Sequence, residues 1–263
     1  AESVVRAFRG RTGQFIFCST VDVYTKPAKA YPVKEDAERK PIPEFEYAHD
    51  KALCESILEE AYSQGAFPLT ILRPAATYND AWAPIALLGP GETFLNRIRN
   101  GKPLIVLGDG TSFWTSTHRD DVARAFTGAA GNSKTIGKSY NVMGDEWMTW
   151  HQYYQTAADV MKAPPVTLVP IPADLLAEIA PKTASWCSLN FKYNNIFDNS
   201  AAIADLGFKY TITWEEGVRR MVQYHDSRGN VDNCPQYPLY DQIIEAWRRT
   251  ERNLIDELSV LDV

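Results

Sequence analysis

Gln14-Phe-Ile-Phe-Cys-Ser-Thr20, running on into Val21-Asp-Val-Tyr24, decides how this chain is read. The apolar run Phe15–Cys18 is short and aromatic, with a β-branched Ile16, and turn residues bound it on both sides. That texture suits a strand of a parallel sheet, buried on both faces. In open α/β sheets, ligands sit beyond the carboxyl ends of the strands. Ser19 and Thr20 therefore stand where a hydroxyl can polarise a substrate oxygen. The plainer alternative is a Ser/Thr turn that closes the strand.

Outward from this strand, residues 25–45 hold Pro27, Pro32, Pro41 and Pro43 among Lys and Glu, which predicts a surface loop. Next comes Tyr47-Ala-His-Asp-Lys51, opening a helix that reaches about Tyr62 and is closed by Gly65. Residues four apart share a helix face. An ammonium near a phenol favours the phenolate and lowers its pKa from about 10. A phenol so tuned can exchange a proton with a substrate hydroxyl near neutral pH. A surface stacking pair is the bland alternative. Pro68-Leu-Thr-Ile-Leu-Arg-Pro74 is a second buried strand, stopped by Pro74.

Composition bounds the chain without naming its chemistry. Its 263 residues suit one large domain, or a domain plus a small lobe. The net charge of -6 and the lack of a basic tract argue against a nucleic-acid partner. Cys18, Cys54, Cys187 and Cys234 are far apart and make no metal spacing, so reduced thiols in a cytosolic protein are expected. No apolar run is long enough to span a membrane. Ala1–Phe8 already reads as the last turns of an amphipathic helix, so the sequence is expected to begin inside a fold.

A strand ending Ser-Thr-x-x-Val-Tyr, a Tyr-x-x-x-Lys helix about 25 residues on and a strand ending Leu-Arg-Pro together resemble the extended short-chain dehydrogenase/reductase family. Within it the likeness is to the NAD-dependent epimerase/dehydratase group. It continues through Gly108-Asp-Gly110, His118-Arg-Asp-Asp-Val-Ala-Arg-Ala125, Asp198–Phe208 and Trp214–Arg219. The resemblance implies an α/β fold: a Rossmann-like, doubly wound parallel sheet lacking its N-terminal strands, with a smaller C-terminal substrate lobe. Residues 1–78 would belong to the dinucleotide-binding domain and 79–226 mainly to the substrate lobe, with segments returning to the core. Residues 227–263 would form a helical extension.

Carried onto this sequence, the resemblance implies that Tyr47 is the catalytic acid/base. Lys51 would hold the nicotinamide ribose and lower the Tyr47 pKa. Thr20 would hydrogen-bond the reacting oxygen, and Pro74 and Ala75 would approach the nicotinamide of NAD or NADP. Relatives acting on nucleotide sugars usually place an Arg after the Gly108–Gly110 turn. Here Trp114 stands at that position, which puts a nucleotide-diphosphate substrate in doubt. An aromatic wall for the substrate and simple core packing are both open for Trp114, and Arg97 or Arg119 could supply the missing charge. The family's Gly-rich phosphate turn is not in this sequence, and Gly10-Arg-Thr-Gly13 precedes a later strand and opens no helix.

The expected activity is NAD(P)-dependent epimerisation or dehydration of a sugar-like substrate, in a homodimer by analogy with relatives. The rival readings are an RNA-binding relative, as in the chloroplast stem-loop RNA-binding proteins, and an inactive truncated homologue. Further along, Thr93–Arg99, Trp150–Met161, Ala173–Ala180 and Trp214–Tyr224 are expected helices. His118 is expected to be structural, with Asp120 or Asp121 capping the helix that follows. Asp198 or Ser200 is the expected cap of a later helix. Tyr240–Leu261 carries Ile244, Trp247, Leu254, Leu258 and Leu261 as a stripe needing burial, most simply on its own domain.

Overall fold

The apolar run at the centre of the sequence argument forms strand β1, Phe15–Cys18, preceded by helix α1, Glu2–Phe8. A computed structural model describes residues 1–83, 87–89, 91–234 and 236–259. Helix α2, Glu46–Ser63, follows the proline-rich loop, and Gly65 continues past its end with φ of +74°, a conformation glycine adopts without strain. Strand β2 is Leu69–Pro74 and β3 is Ala76–Tyr78. Then come α3 (Thr93–Arg99), β4 (Leu104–Leu107), β5 (Phe113–Trp114), β6 (Ser116–His118) and α4 (Arg119–Ala129). Strand β7 is Lys138–Val142, β8 is Met148–Thr149 and α5 is Trp150–Val160. The chain goes on through β9 (Leu168–Ile171), α6 (Ala173–Ile179) and α7 (Pro181–Trp186). It ends, among the described residues, with α8 (Ser200–Leu206), α9 (Trp214–Asp226) and α10 (Pro238–Leu258).

Strands β1, β2 and β7 make one parallel sheet with β2 in the middle, buried at all six positions. Alternation along β2 sorts its side chains to two faces. Leu69 and Ile71 pack with Leu58 and Ala61 of α2, whereas Leu72 packs with Val122 and Ala125 of α4 and Ala202 of α8. Helices therefore cover both faces of β2, the doubly wound arrangement the resemblance implies. Each such fully buried aliphatic side chain contributes about 1.5–3 kcal/mol. Strand β1, by contrast, is not the fully buried strand its sequence suggests: Phe15, Ile16 and Phe17 are half-buried and Cys18 is exposed.

A second, larger cluster lies around the parallel pair β4–β9, roofed by α3, α5, α9 and the first half of α10. The first half of α10 is part of this core. Tyr240, Ile243 and Ile244 sit in this core, and the Tyr240 hydroxyl accepts the Ile105 N–H of β4 at 2.8 Å. The stripe divides further on: Leu254 and Leu258 are exposed, and Leu261 lies outside the described residues.

Two expected caps fall to other residues. His118 caps α4, its Nδ1 accepting the Asp120 N–H at 3.3 Å. Asp121 is instead fully buried and accepts N–H bonds from Thr211 (2.8 Å) and Ile212 (2.9 Å), tying α4 to the loop before α9. Asn199 occupies the N-cap position of α8, while the Asp198 carboxylate accepts the Ser200 N–H at 2.8 Å.

Helix α4 approaches α8 so closely that a β-carbon at Gly128 would strike the Leu206 carbonyl oxygen. Gly128→Ala gains helix propensity of about 1 kcal/mol but overpacks a backbone contact, which typically costs about 1–3 kcal/mol. The expected net result is a lower midpoint in chemical denaturation. A midpoint equal to or above that of the unsubstituted protein would contradict the close approach.

Candidate active site

The carboxyl ends of β1 and β2 open into a cleft of about 490 Å³. A chamber of that size holds a small organic ligand. Thr20 follows β1 and begins a short 3-10 turn, Val21–Val23, its Oγ1 accepting the Asp22 N–H at 3.2 Å. Tyr47 comes in from the first turn of α2, and Pro74 and Ala75 close β2. Thr20, Tyr47, Pro74, Ala75 and Trp114 all line this cleft, although 94 residues of sequence separate Thr20 from Trp114.

The Thr20 hydroxyl lies close enough to the phenol to influence its charge. Burial pushes the Tyr47 pKa up from 10, the Thr20 hydroxyl pulls it part of the way back, and the negative charge of Asp22 raises it again. The expected lowering by Lys51 is not what the structure shows. The Lys51 ammonium donates to the Cys18 carbonyl oxygen at 2.8 Å and lies 5.1 Å from the Phe17 ring centroid. Sharing a helix face with Tyr47 does not aim it at the phenol oxygen, because the end of β1 offers an acceptor first. The ammonium keeps two further N–H donors for a ligand beside β1.

Arg97 is not brought to the cleft. Its guanidinium stacks 4.0 Å from the Tyr240 ring centroid, donates to the Pro103 carbonyl at 2.9 Å and pairs with Asp241 at 2.7 Å. It fastens α3 to α10 instead. Arg119 is exposed, with Asp120 as its ion-pair partner at 3.5 Å. His118 is fully buried and bonds Asp80 at 3.0 Å.

Residues 1–142 match the family model described as the NAD dependent epimerase/dehydratase family. The chain belongs to that family. Among curated proteins it is similar to 2'-dehydrokanamycin reductase of Streptomyces kanamyceticus, 23% identical over 172 residues, covering 65% of this chain and 48% of the relative. It is also similar to the chloroplast stem-loop binding protein of 41 kDa b from Arabidopsis thaliana, 28% identical over 137 residues, covering 52% and 33%. The chain therefore spans about half the length, or less, of the curated relatives it matches. Among solved structures, UDP-glucose 4-epimerase of Thermotoga maritima with UDP-glucose superposes with a TM-score of 0.66 at 22% identity, covering 86% of this chain and 67% of the other. UDP-glucuronic acid 4-epimerase of Bacillus cereus with NAD gives 0.65 at 21% identity, covering 86% and 66%. At these identities the likeness establishes the Rossmann-like fold.

This epimerase/dehydratase family member adds a polar cluster that the sequence argument passed over. Asp22 Oδ1 accepts from Lys26 Nζ at 3.1 Å and from Asn190 Nδ2 at 2.9 Å. Lys26 also donates to Asn190 Oδ1, and to Asn195 Oδ1 at 3.0 Å. Burial pushes the Lys26 pKa down, opposed by the Asp22 charge. The remaining oxygen of Asp22 accepts the Thr20 hydroxyl at 3.3 Å, long enough for that hydroxyl to turn toward a ligand. Asn190 and Asn195 lie more than 160 positions from Lys26. Nothing local in Phe191-Lys-Tyr-Asn-Asn195 announces this meeting. Trp186 was likewise unforeseen, and its ring lies 5.5 Å from that of Tyr47 and 4.8 Å from that of Phe45.

Proposed function

We propose that the chain carries the catalytic residues of an enzyme that moves hydride between NAD or NADP and a carbinol carbon of a sugar-like substrate. The reading covers epimerisation and dehydration, whose first step takes hydride from a carbinol carbon to NAD+, and carbonyl reduction, which runs that transfer in the opposite direction. One observation carries it: a phenol and a threonine hydroxyl meet in a cleft at the carboxyl ends of adjacent parallel strands. Family membership and the family's NAD-binding relatives of like fold support it.

The residues present suit the nicotinamide end of a dinucleotide. Ala75 puts only a methyl group at the end of β2, and Lys51 holds two uncommitted donors beside β1. When bound, the dinucleotide supplies the hydride acceptor or donor. Tyr47 holds the proton that leaves or enters the substrate oxygen, and Thr20 supports that oxygen as its charge changes. Burial pushes the Tyr47 pKa up, which favours the protonated phenol. It is poised as an acid, so carbonyl reduction is the direction it serves unaided. The expected rate of carbonyl reduction is flat through neutral pH and falls only on the alkaline side. A decline centred near pH 7 would assign the proton to another group.

The experiment that tests the reading is turnover of NADH or NADPH by the protein with a panel of keto-sugars, followed by absorbance. No cofactor oxidation with any of them, together with no dinucleotide binding by calorimetry, overturns it. A homodimer through α2, where Leu53 is 52% exposed on the outer face, is part of the proposal. Light scattering of the eluting protein reads it directly. The net charge of -6 opposes the RNA-binding alternative, since RNA affinity depends on neutralising phosphates.

A further inference from the structure

The wall of the cleft that faces Tyr47 and Thr20 is aromatic and carries no net charge. Trp82, Trp114, Trp186 and Phe191 contribute rings, with Trp82 the most open to solvent. Among the described residues that line the cleft there is no Lys, Arg or His, and Asp22 is the one charged side chain. That carboxylate is not free to attract a cation. Lys26 pairs with it at 3.1 Å, each side chain being little more than a tenth exposed. The three donors of the Lys26 ammonium are all taken, by Asp22, Asn190 and Asn195. The pair therefore cancels itself inside the fold.

A second observation is independent of charge. Trp114 is 4% exposed and lines the cleft, yet its indole N–H has no acceptor among the described residues. Its ring is held, stacked 5.4 Å from Trp150 and edge-on to Phe191 at 4.9 Å. The neighbouring Trp150, by contrast, has its N–H satisfied by Ser112 Oγ at 3.0 Å. Buried donors in native proteins are nearly always paired, so an unpaired one calls for a partner. Of the four unpaired buried side-chain atoms among the described residues, Trp114 Nε1 and Ser19 Oγ belong to residues of this cleft, and Tyr78 and Trp247 lie outside it. An indole N–H donates one neutral hydrogen bond. It suits a hydroxyl, ether or carbonyl oxygen, and it does nothing to offset the two negative charges of a diphosphate.

We infer that this cleft takes an uncharged, hydroxylated ring substrate without a phosphate, laid against the tryptophan wall, with the Trp114 indole N–H donating to one of its oxygens. The inference rests on the proposed function for the location of the site but not for its test. A diphosphate brought into this cleft would lose its water and find no cation among the lining residues, Lys51 at the Cys18 carbonyl being assigned to the dinucleotide, whereas a glycoside keeps its hydrogen bonds and stacks its apolar face.

Binding is measured without turnover, by calorimetry on the protein saturated with NAD+. The probes are phenyl β-D-glucoside and methyl β-D-glucoside as neutral rings and UDP-glucose as the diphosphate. The expected result is saturable binding of phenyl glucoside, at least about tenfold tighter than UDP-glucose, corresponding to about 1.4 kcal/mol. Trp114→Phe keeps a ring in the wall and removes the N–H. It should weaken phenyl glucoside about tenfold, the scale of one lost hydrogen bond, while leaving UDP-glucose unchanged. UDP-glucose binding more tightly than both glucosides, or no binding by either glucoside, overturns the inference. The comparison of ligands on the unsubstituted protein stands even if the variant does not fold. If the Tyr47 chemistry is absent but this selectivity is found, the proposed function fails and the substrate class remains.

Discussion

Tyr47→Phe is expected to lower turnover about 10²–10⁴-fold, the range that a positioned general acid or base contributes. The substitution removes one oxygen and leaves the ring. The packing of Tyr47 against Phe45 and Trp186 is therefore kept, with centroids at 6.3 and 5.5 Å. Substrate and dinucleotide affinities should change by less than about threefold, because the loss belongs to the transition state rather than to binding. Steady-state kinetics with the cofactor-loaded protein separate the two. Turnover within a factor of about three of the unsubstituted enzyme would show that another group moves the proton. Lys51→Met provides the contrast. Its ammonium touches the Cys18 carbonyl rather than the phenol, so the effect is expected mainly in dinucleotide affinity.

The second large effect lies below the site. Arg73, in the middle of the sheet, is 1% exposed and Glu55 of α2 is fully buried. Two parallel bonds join them, Nε to Oε1 and Nη2 to Oε2, both 2.9 Å. Tyr24 accepts from Arg73 Nη1 at 2.7 Å, and Arg39 approaches Glu55 from outside. This pair holds the helix carrying Tyr47 on the strand that ends at Pro74. Glu55→Gln leaves Arg73 charged, buried and unpaired, which typically costs about 3–5 kcal/mol. In a chain of this size that is a fall in Tm of roughly 6–20 °C. Restoring balance with Glu55→Gln plus Arg73→Met should recover part of the loss. A Tm within about 2 °C of the parent for the single variant would mean that water reaches the guanidinium.

The same pair gives stability a pH dependence of definite sign. Burial pushes the Glu55 carboxyl up, but Arg73, Ser19 and Arg39 together bring it below 4.5. A carboxyl depressed in the folded state contributes stability that is fully present above its unfolded pKa. That contribution is lost as pH falls through the folded value. Stability should therefore hold above about pH 5 and decline below about pH 4.5, the ordinary glutamate value. Glu55→Gln should flatten that decline.

Much of this fold was legible because its signals are local. An apolar run between turn residues marks β1, apolar spacing marks α2, and proline marks the end of β2. Helices such as Thr93–Arg99 emerged with the bounds read from spacing alone. The cap of α4 was misplaced because His118 and two aspartates compete there, and Asp121 is drawn inward by the Thr211 and Ile212 amides of another segment. Arg97 and Lys51 share one lesson. A cation was expected wherever chemistry needed charge, yet each side chain found a nearer partner, Asp241 with Tyr240 for one and a strand-end carbonyl for the other.

Residue order along the chain marked the strands and the phenol–hydroxyl pair, which lies within some 30 positions. The ordered motifs carried the resemblance that implied the doubly wound sheet, although its strands pair across 54 and 68 positions. Charge inside the cleft was a different matter. Lys26, Asp22, Asn190 and Asn195 converge across more than 160 residues, and Trp114 reaches the same wall from β5. Their electrostatic balance depends on three-dimensional packing, because Coulomb energy follows separation in space and local dielectric, and neither is written in sequence distance.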